Sequence, residues 1–234
     1  MPEGQIIVTG GSKGIGLAVA EELTRRGRNV VSLSRSGGGT AGHQIRCDMT
    51  DEASVKEAIR AVSERGSIAG LVNNAGVHTS SPAATLTVED FNRTMALNAT
   101  AVMVAAREAF PHLKDKGGTI VNMGSFFDRM GAPDNLAYCA SKAAVAAMTR
   151  VMAVEWARYG ISVINVAPGY IETDLNKDYL ARPKVRAWMG SRIPTGSPGK
   201  PEGVAQLVSS LMIEAIPYLT GETIYIDGGQ GINH

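Results

Sequence analysis

Three residues between positions 125 and 142 can together move a proton to or from an oxygen. Tyr138 and Lys142 stand four apart in an alanine-rich segment that reads as helix, a spacing that puts their Cβ atoms about 5–6 Å apart on one face. A free tyrosine titrates near about 10, too weak an acid for rapid work at neutral pH, but an adjacent ammonium favours the phenolate and lowers that value. A tyrosine so placed can give a proton to a developing alkoxide or accept one from an alcohol. Ser125 follows the strand-like run Thr119 to Met123 and offers a hydroxyl to the same oxygen. A Tyr-x-x-x-Lys pair also arises wherever the two residues share the wet face of an ordinary helix. The elements that would position it therefore have to decide.

Gln5 to Thr9 is a short β-branched run that ends in Gly10-Gly11-Ser12-Lys13-Gly14-Ile15-Gly16, and Leu17 to Arg26 then takes up helical periodicity. Strand, glycine turn and helix in that order let a backbone approach a pyrophosphate and aim free helix N–H groups at it. The glycines fall as Gly-x-x-x-Gly-x-Gly, not in the Gly-x-Gly-x-x-Gly spacing usual for dinucleotide sites. The second strand, Asn29 to Ser34, ends at Arg35, where an NAD-binding chain usually carries an acid for the ribose 2′-hydroxyl. Arg35, with Lys13 and the hydroxyls of Ser34 and Ser36, suits a 2′-phosphate and hence NADP(H). The alternative is that these are solvated surface charges.

Gln44 to Cys47 reads as a third strand, and Asp48, followed by Met49, either reaches an adenine amino group or caps the helix Ser54 to Arg65. Ile68 to Val72 is a fourth strand, and Asn73-Asn74-Ala75-Gly76 fits either close backbone approach to a ligand or a structural turn. Glu89 to Phe110 forms a long helix containing Asn98. Its alanines, like those that follow Tyr138, pack on their own sheet or admit a second subunit. After the strand Ile161 to Val166, residues 174–200 carry Pro183, Pro194, Pro198, Gly190, Gly196 and Gly199. They read as short helices in a mobile excursion, the form a lid or binding loop takes. Pro201 to Ile213 closes with a helix and Thr223 to Ile226 with a strand. Alternating strands and helices over one domain, residues 1–234, give the α/β class: a parallel sheet with helices on both faces.

With 23 basic and 22 acidic residues the chain has a formal net charge of +1, which gives no electrostatic reason to expect nucleic acid or an anionic membrane as partner. Nothing resembles a leader peptide or approaches the ~20 apolar residues of a membrane span, so a cytoplasmic protein is expected. Two cysteines, Cys47 and Cys139, suit reduced thiols better than a disulfide framework. Cys139 points about 100° away from Tyr138 on its helix and reads as a packing residue rather than a nucleophile. No metal site is expected.

Taken together, Thr9 to Gly16, Asp48, Asn73 to Gly76, Asn98, Ser125, Tyr138-x-x-x-Lys142, Pro168-Gly169 and Gly221-Glu222-Thr223 resemble the short-chain dehydrogenase/reductase family over essentially the whole chain. The resemblance is nearest to the 3-oxoacyl-acyl-carrier-protein reductases and the neighbouring sugar and alcohol dehydrogenases. It implies a Rossmann-type, doubly wound sheet of about seven strands. It also implies Tyr138 as the acid/base, Ser125 as the hydroxyl that polarises the carbonyl, and Lys142 as the group that lowers the tyrosine pKa and holds the nicotinamide ribose. Asn98 is implied to hold a water linking Lys142 to solvent, and Pro168, Gly169, Ile171 and Thr173 to border the nicotinamide. The substrate wall is expected from His78, Phe126, Phe127, Met130, Tyr170 and parts of Asp174 to Arg192. A homotetramer is implied, with a small carbonyl or alcohol as substrate. An acidic carrier protein, if one delivers it, is expected to land on Lys114, Lys116, Arg129 or Arg158. The reading of another class is a sensor that binds NADP(H) without turnover, which loss of Ser125, Tyr138 or Lys142 would have marked.

Overall fold

Each β-branched run read from the sequence forms a strand. The computed structural model describes residues 3–174, 176–214 and 216–233. Leu175, inside the expected excursion, and Met1, Pro2, Ala215 and His234 of the expected domain lie outside the described residues. The strands are β1 (Gln5–Thr9), β2 (Asn29–Ser34), β3 (His43–Arg46), β4 (Ile68–Asn73), β5 (Gly118–Met123), β6 (Ile161–Pro168) and β7 (Thr223–Ile226). They pair in parallel in the order β3-β2-β1-β4-β5-β6-β7. This is a Rossmann-type sheet. Its order reverses between β1 and β4, and the crevice outside the carboxyl ends of those strands is where such sheets take ligands.

The apolar spacing of the helices decides which face each covers. Helix α1 (Gly14–Arg25) buries Val19, Ala20 and Leu23, and α8 (Pro201–Ile213) buries Val204, Val208, Leu211 and Met212. Both pack on one face of the sheet over Val8, Val72, Val121 and Ile164. Helix α2 (Glu52–Arg65) buries Val55, Ala58, Ile59 and Val62 at helical spacing. It shares the opposite face with α4 (Ala101–Leu113) and α5 (Leu136–Trp156), over Ile7, Leu33, Leu71 and Val163.

The helix expected over residues 89–110 is broken into three by one wide turn. An α-helical start, α3 (Val88–Met95), passes through a π-helical turn at Ala96–Thr100 into α4. It also runs beyond the expected stop at Phe110, through Pro111 to Leu113. The excursion after β6 contains α6 (Lys177–Leu180) and α7 (Pro183–Arg192). Leu180, Met189 and Ile193 form a small core of their own, against Tyr170 and Val185.

Candidate active site

Buried amides hold the site's elements in register. Asn73 Nδ2 at the end of β4 donates to Asn122 Oδ1 of β5 at 2.9 Å, and Asn122 Nδ2 donates to Thr149 Oγ1 of α5 at 2.9 Å. One chain of side-chain bonds thus ties two strands to the helix that carries Tyr138 and Lys142. A second cluster joins β1 to the loop after β4. Thr9 Oγ1 accepts from the backbone N–H groups of Asn74 and Ala75, both at 3.0 Å, and Asn74 Nδ2 donates to the carbonyl of Thr9 at 3.0 Å. The amide of Asn74 is therefore spent on the protein, although the residue borders the groove.

That groove, about 890 Å³, opens at the reversal point. Every cofactor position expected from the sequence lines it except Tyr138, Lys142, Pro168, Gly169 and Ile171; Leu33, Gly38, Cys47, Thr50 and Leu97 line it without having been foreseen. Its glycines are required for geometry. Gly10 sits at φ 69° and Gly14 at φ 56°, left-handed conformations that glycine alone adopts without strain. A Cβ on Gly16 would collide with Asn74 Nδ2 and the Gly10 carbonyl, whereas one on Gly14 would meet only Thr173 Cγ2, at 3.8 Å. Open space over Gly14 beside the first N–H groups of α1 fits a pyrophosphate. Arg35, Lys13 and Ser36 are exposed along the groove, with the Ser36 hydroxyl 3.3 Å from that of Ser34, a donor set suited to a phosphate. The residues present thus fit a pyrophosphate-linked dinucleotide.

Asp48 does not cap a helix. Its Oδ1 accepts from the N–H and hydroxyl of Thr50 at 2.9 and 2.7 Å, bonds that hold its carboxyl below the usual range, helped by Arg35. Asp51 caps α2 instead, accepting from Ala53 N at 3.1 Å. The Ile171 side chain does not line the groove. It is 8% exposed in the core beneath α8, and the backbone there bridges to Gly199. Of that pair, Thr173 reaches the groove. Gly169 is tight against Asp227, whose Cα would lie 2.8 Å from an added Cβ.

The reactive groups lie beyond the groove. Ser125, just after β5, is buried, its Oγ accepts from Phe127 N at 3.3 Å, and its hydroxyl bears on the Tyr138 phenol. Lys142 is buried, with Nζ donating to the carbonyl of Met123 at 2.8 Å and lying 5.6 Å from the centre of the Tyr138 ring. A Cβ on Gly76 would crowd Asn98 Oδ1 at 3.3 Å and only touch that Nζ, at 3.7 Å. Burial pulls Lys142 down from 10.5 to about 8. Burial also pushes the Tyr138 phenol up, opposed by the Ser125 hydroxyl. The expectation that Lys142 depresses the phenol is corrected here, because its ammonium is aimed at Met123 and burial is the larger influence.

Asn98 sits at the π-helical turn and is wholly buried. Its Oδ1 accepts from Val77 N at 2.8 Å, and its Nδ2 donates to Val77 O at 2.9 Å and Ser141 Oγ at 3.1 Å. Both amide hydrogens are committed, so the side chain works as a clamp between the β4 loop and α5 and has no donor left for a water. A π turn at a functional residue is a recurrent device.

The aromatic wall differs from the expected one. Phe126 and Phe127 are 2% and 9% exposed and stack on each other at 4.5 Å, so they form a floor and not an open wall. Phe127 meets Tyr138 edge to face, Phe126 meets Tyr170, and Tyr170 meets Trp188 of α7 at 5.8 Å. Trp188 was hidden in the excursion; the residue type alone was its only signal. Met130 is half-buried after this floor and His78 is exposed beside Tyr138.

The expected carrier landing points separate. Lys114 and Lys116 lead from α4 into the start of β5, and Arg158 leads from α5 into the start of β6. In a parallel sheet these connections lie at the amino edge, opposite the crevice. Arg129 alone is on the crevice side, with its guanidinium 3.7 Å above the Tyr225 ring.

Residues 10–230 match the family model described as enoyl-(acyl carrier protein) reductase. The 3-oxoacyl-acyl-carrier-protein reductase FabG of Vibrio harveyi is 34% identical, over 97% of this chain and 97% of its own. The chain belongs to the short-chain dehydrogenase/reductase family. As a short-chain dehydrogenase/reductase it is an oxidoreductase. Its relatives in this family act on varied alcohols and ketones. The 3beta-hydroxysteroid dehydrogenase 1 of Eggerthella lenta is 32% identical over 96% of this chain and 92% of its own. The solved gluconate 5-dehydrogenase of Burkholderia cenocepacia J2315, in complex with NADP and tartrate, shares 29% identity and a TM-score of 0.93 over 100% of this chain and 97% of its own.

Proposed function

We propose that this short-chain dehydrogenase/reductase is an NADP(H)-dependent enzyme that reduces a carbonyl, a 3-oxoacyl thioester or hydrophobic ketone, or oxidises the corresponding secondary alcohol. The observation that carries the reading is the buried Ser125 hydroxyl bearing on the Tyr138 phenol, with the Lys142 ammonium buried beside the tyrosine ring. The bound nicotinamide supplies the hydride. Tyr138 gives its proton to the carbonyl oxygen, and Ser125 donates to that same oxygen as its charge grows. Lys142 holds the nicotinamide ribose and resupplies the proton, while Asn98 keeps the β4 loop against α5. Residues 174–200 act as the lid over the substrate.

A thioester or hydrophobic ketone is favoured over a sugar because the floor under Tyr138 is two stacked phenylalanines closed by Tyr170 and Trp188. The reductase and hydroxysteroid dehydrogenase relatives are in line with this. The gluconate dehydrogenase keeps the polyol reading as the alternative. NADPH oxidation against an acetoacetyl thioester, a bulky aromatic ketone and a sugar ketone tests the proposal. Turnover of the first or second supports it, turnover of the sugar alone replaces it with the polyol reading, and NADPH binding without turnover favours a sensor.

The cofactor preference rests on Arg35, and Arg35→Asp should lower the NADPH to NADH ratio of kcat/KM by about a hundredfold, equivalent to ~3 kcal/mol for a lost charge-assisted phosphate contact replaced by repulsion. An unchanged ratio refutes the phosphate clamp. The proposal includes a homotetramer, supported by Val151 and Val154 standing 56% and 81% exposed on α5 where apolar side chains gain from burial. Sedimentation of a monomer at working concentration would refute it.

A further inference from the structure

The loop that leaves β4 is stitched to the residues just ahead of Tyr138. His78 Nε2 lies 2.6 Å from Asn135 Oδ1, Ser81 N donates to the carbonyl of Asp134 at 2.8 Å, and Ser81 pairs with Asn135 as an isolated parallel bridge. Asp134 takes φ 62° to make this junction, a left-handed conformation that a residue other than glycine holds at some cost. Such strain persists only where the surroundings over-determine the backbone. Here they do so one turn before the tyrosine.

Hydrogen-bond chemistry then fixes the state of the histidine. Asn135 Nδ2 donates to the carbonyl of Pro133 at 2.6 Å, which turns Oδ1 toward His78. A carboxamide oxygen only accepts, so His78 Nε2 must carry the hydrogen. Held this way, the imidazole meets the Tyr138 ring at 4.8 Å and 87°, the edge-to-face arrangement that aromatic rings prefer. Phe127 meets the same ring at 6.1 Å and 86°. The phenol is braced by His78 and Phe127, and the backbone beneath it is held by the Asp134–Ser81 bond.

We propose that His78 is a positioning residue for Tyr138, locked by Asn135 as the Nε2–H tautomer so that its ring holds the phenol in line with Ser125. The inference rests on Tyr138 being the acid. His78→Ala should lower kcat about tenfold on whichever ketone of the panel is turned over, with the KM for NADPH unchanged. His78→Phe, which keeps a ring against Tyr138, should recover kcat to within about threefold of the unmodified chain, while His78→Gln, which keeps only a donor to Asn135, should not. In a Tyr138→Phe background, His78→Ala should cause no further loss.

The tautomer is read without activity. Long-range proton–nitrogen spectra of the imidazoles, four in this chain, should show one fixed Nε2–H ring that Asn135→Leu releases. Loss of turnover in Tyr138→Phe together with wild-type kcat in His78→Ala, equal loss in the alanine and phenylalanine variants, or an Nδ1–H tautomer would each overturn the inference. Full turnover in Tyr138→Phe would instead overturn the acid assignment beneath it.

Discussion

Replacing Tyr138 by phenylalanine should lower kcat by at least about a hundredfold, the scale on which a positioned general acid contributes, and should leave NADPH affinity within about twofold. The substitution keeps the ring, and with it the edge-to-face contacts to His78 and Phe127, so only the hydroxyl facing Ser125 is lost. Steady-state kinetics and a fluorescence titration with NADPH separate the two quantities. Near-normal turnover would overthrow the assignment. The direction of the tyrosine shift adds a pH dependence. Burial raises the phenol above its ordinary value of 10.0, so at neutral pH it is protonated and ready to serve reduction. Alcohol oxidation needs the phenolate, and its rate should therefore climb through the alkaline range while reduction holds steady or falls. A flat oxidation profile would show that another group takes the proton.

Lys142→Met should make the enzyme nearly inactive and the fold more stable. A lysine titrating at about 8 in the native chain against 10.5 when exposed is a group whose folded value is depressed. Between those two pH values the unfolded chain binds more protons, so its neutral form adds stability that is complete above 10.5 and is lost as pH falls to about 8. Below that range the buried ammonium costs up to about 3 kcal/mol, at 1.36 kcal/mol per pKa unit. The bond from Nζ to the Met123 carbonyl offsets about 1 kcal/mol of whatever methionine would gain. A net gain of about 1–2 kcal/mol corresponds to a Tm roughly 2–8 °C higher at neutral pH for a chain of this size. Thermal melts across the pH range check this. The two proteins should converge toward pH 10.5, and a variant that melts lower at neutral pH would refute the stored cost. Turnover should meanwhile fall about a hundredfold or more, through loss of the group proposed to hold the nicotinamide ribose and resupply the proton.

What could be read from the sequence followed from patterns that physics makes local. Runs such as Ile6 to Val8 and Ile120 to Val121 are β-branched or apolar and bounded by glycine, so their strands follow directly. The spacing of Val55, Ile59 and Val62 names the buried face of α2 without reference to anything else. Tyr138 and Lys142 share a face because four residues make about one turn.

What was missed depends on contacts far apart in the chain. Phe126 and Phe127 look like pocket walls in sequence, but only the approach of Tyr170 from the far end of β6 makes them a buried floor. Lys114, Lys116 and Arg158 look available to a carrier, yet which edge of the sheet they occupy depends on strand direction and not on charge. Asn98 sits among alanines that predict an unbroken helix, and nothing in their composition announces a wide turn.

That wide turn makes the spacing along the helix a fixed quantity. A π-helical turn holds one more residue than the α-helical turn it replaces, so residues 96–100 are an insertion absorbed without a bulge into solvent. Removing a single residue there, a change that a helix surface often absorbs, would let the ladder close as ordinary α-helix and turn everything ahead of it by about 100°. The capped start at Thr87 and Asp90 and the clamp on Val77 could then not both be kept. The number of residues between Thr87 and Asn98, and not only their identities, is a condition for the loop bearing His78 to meet the helix bearing Tyr138.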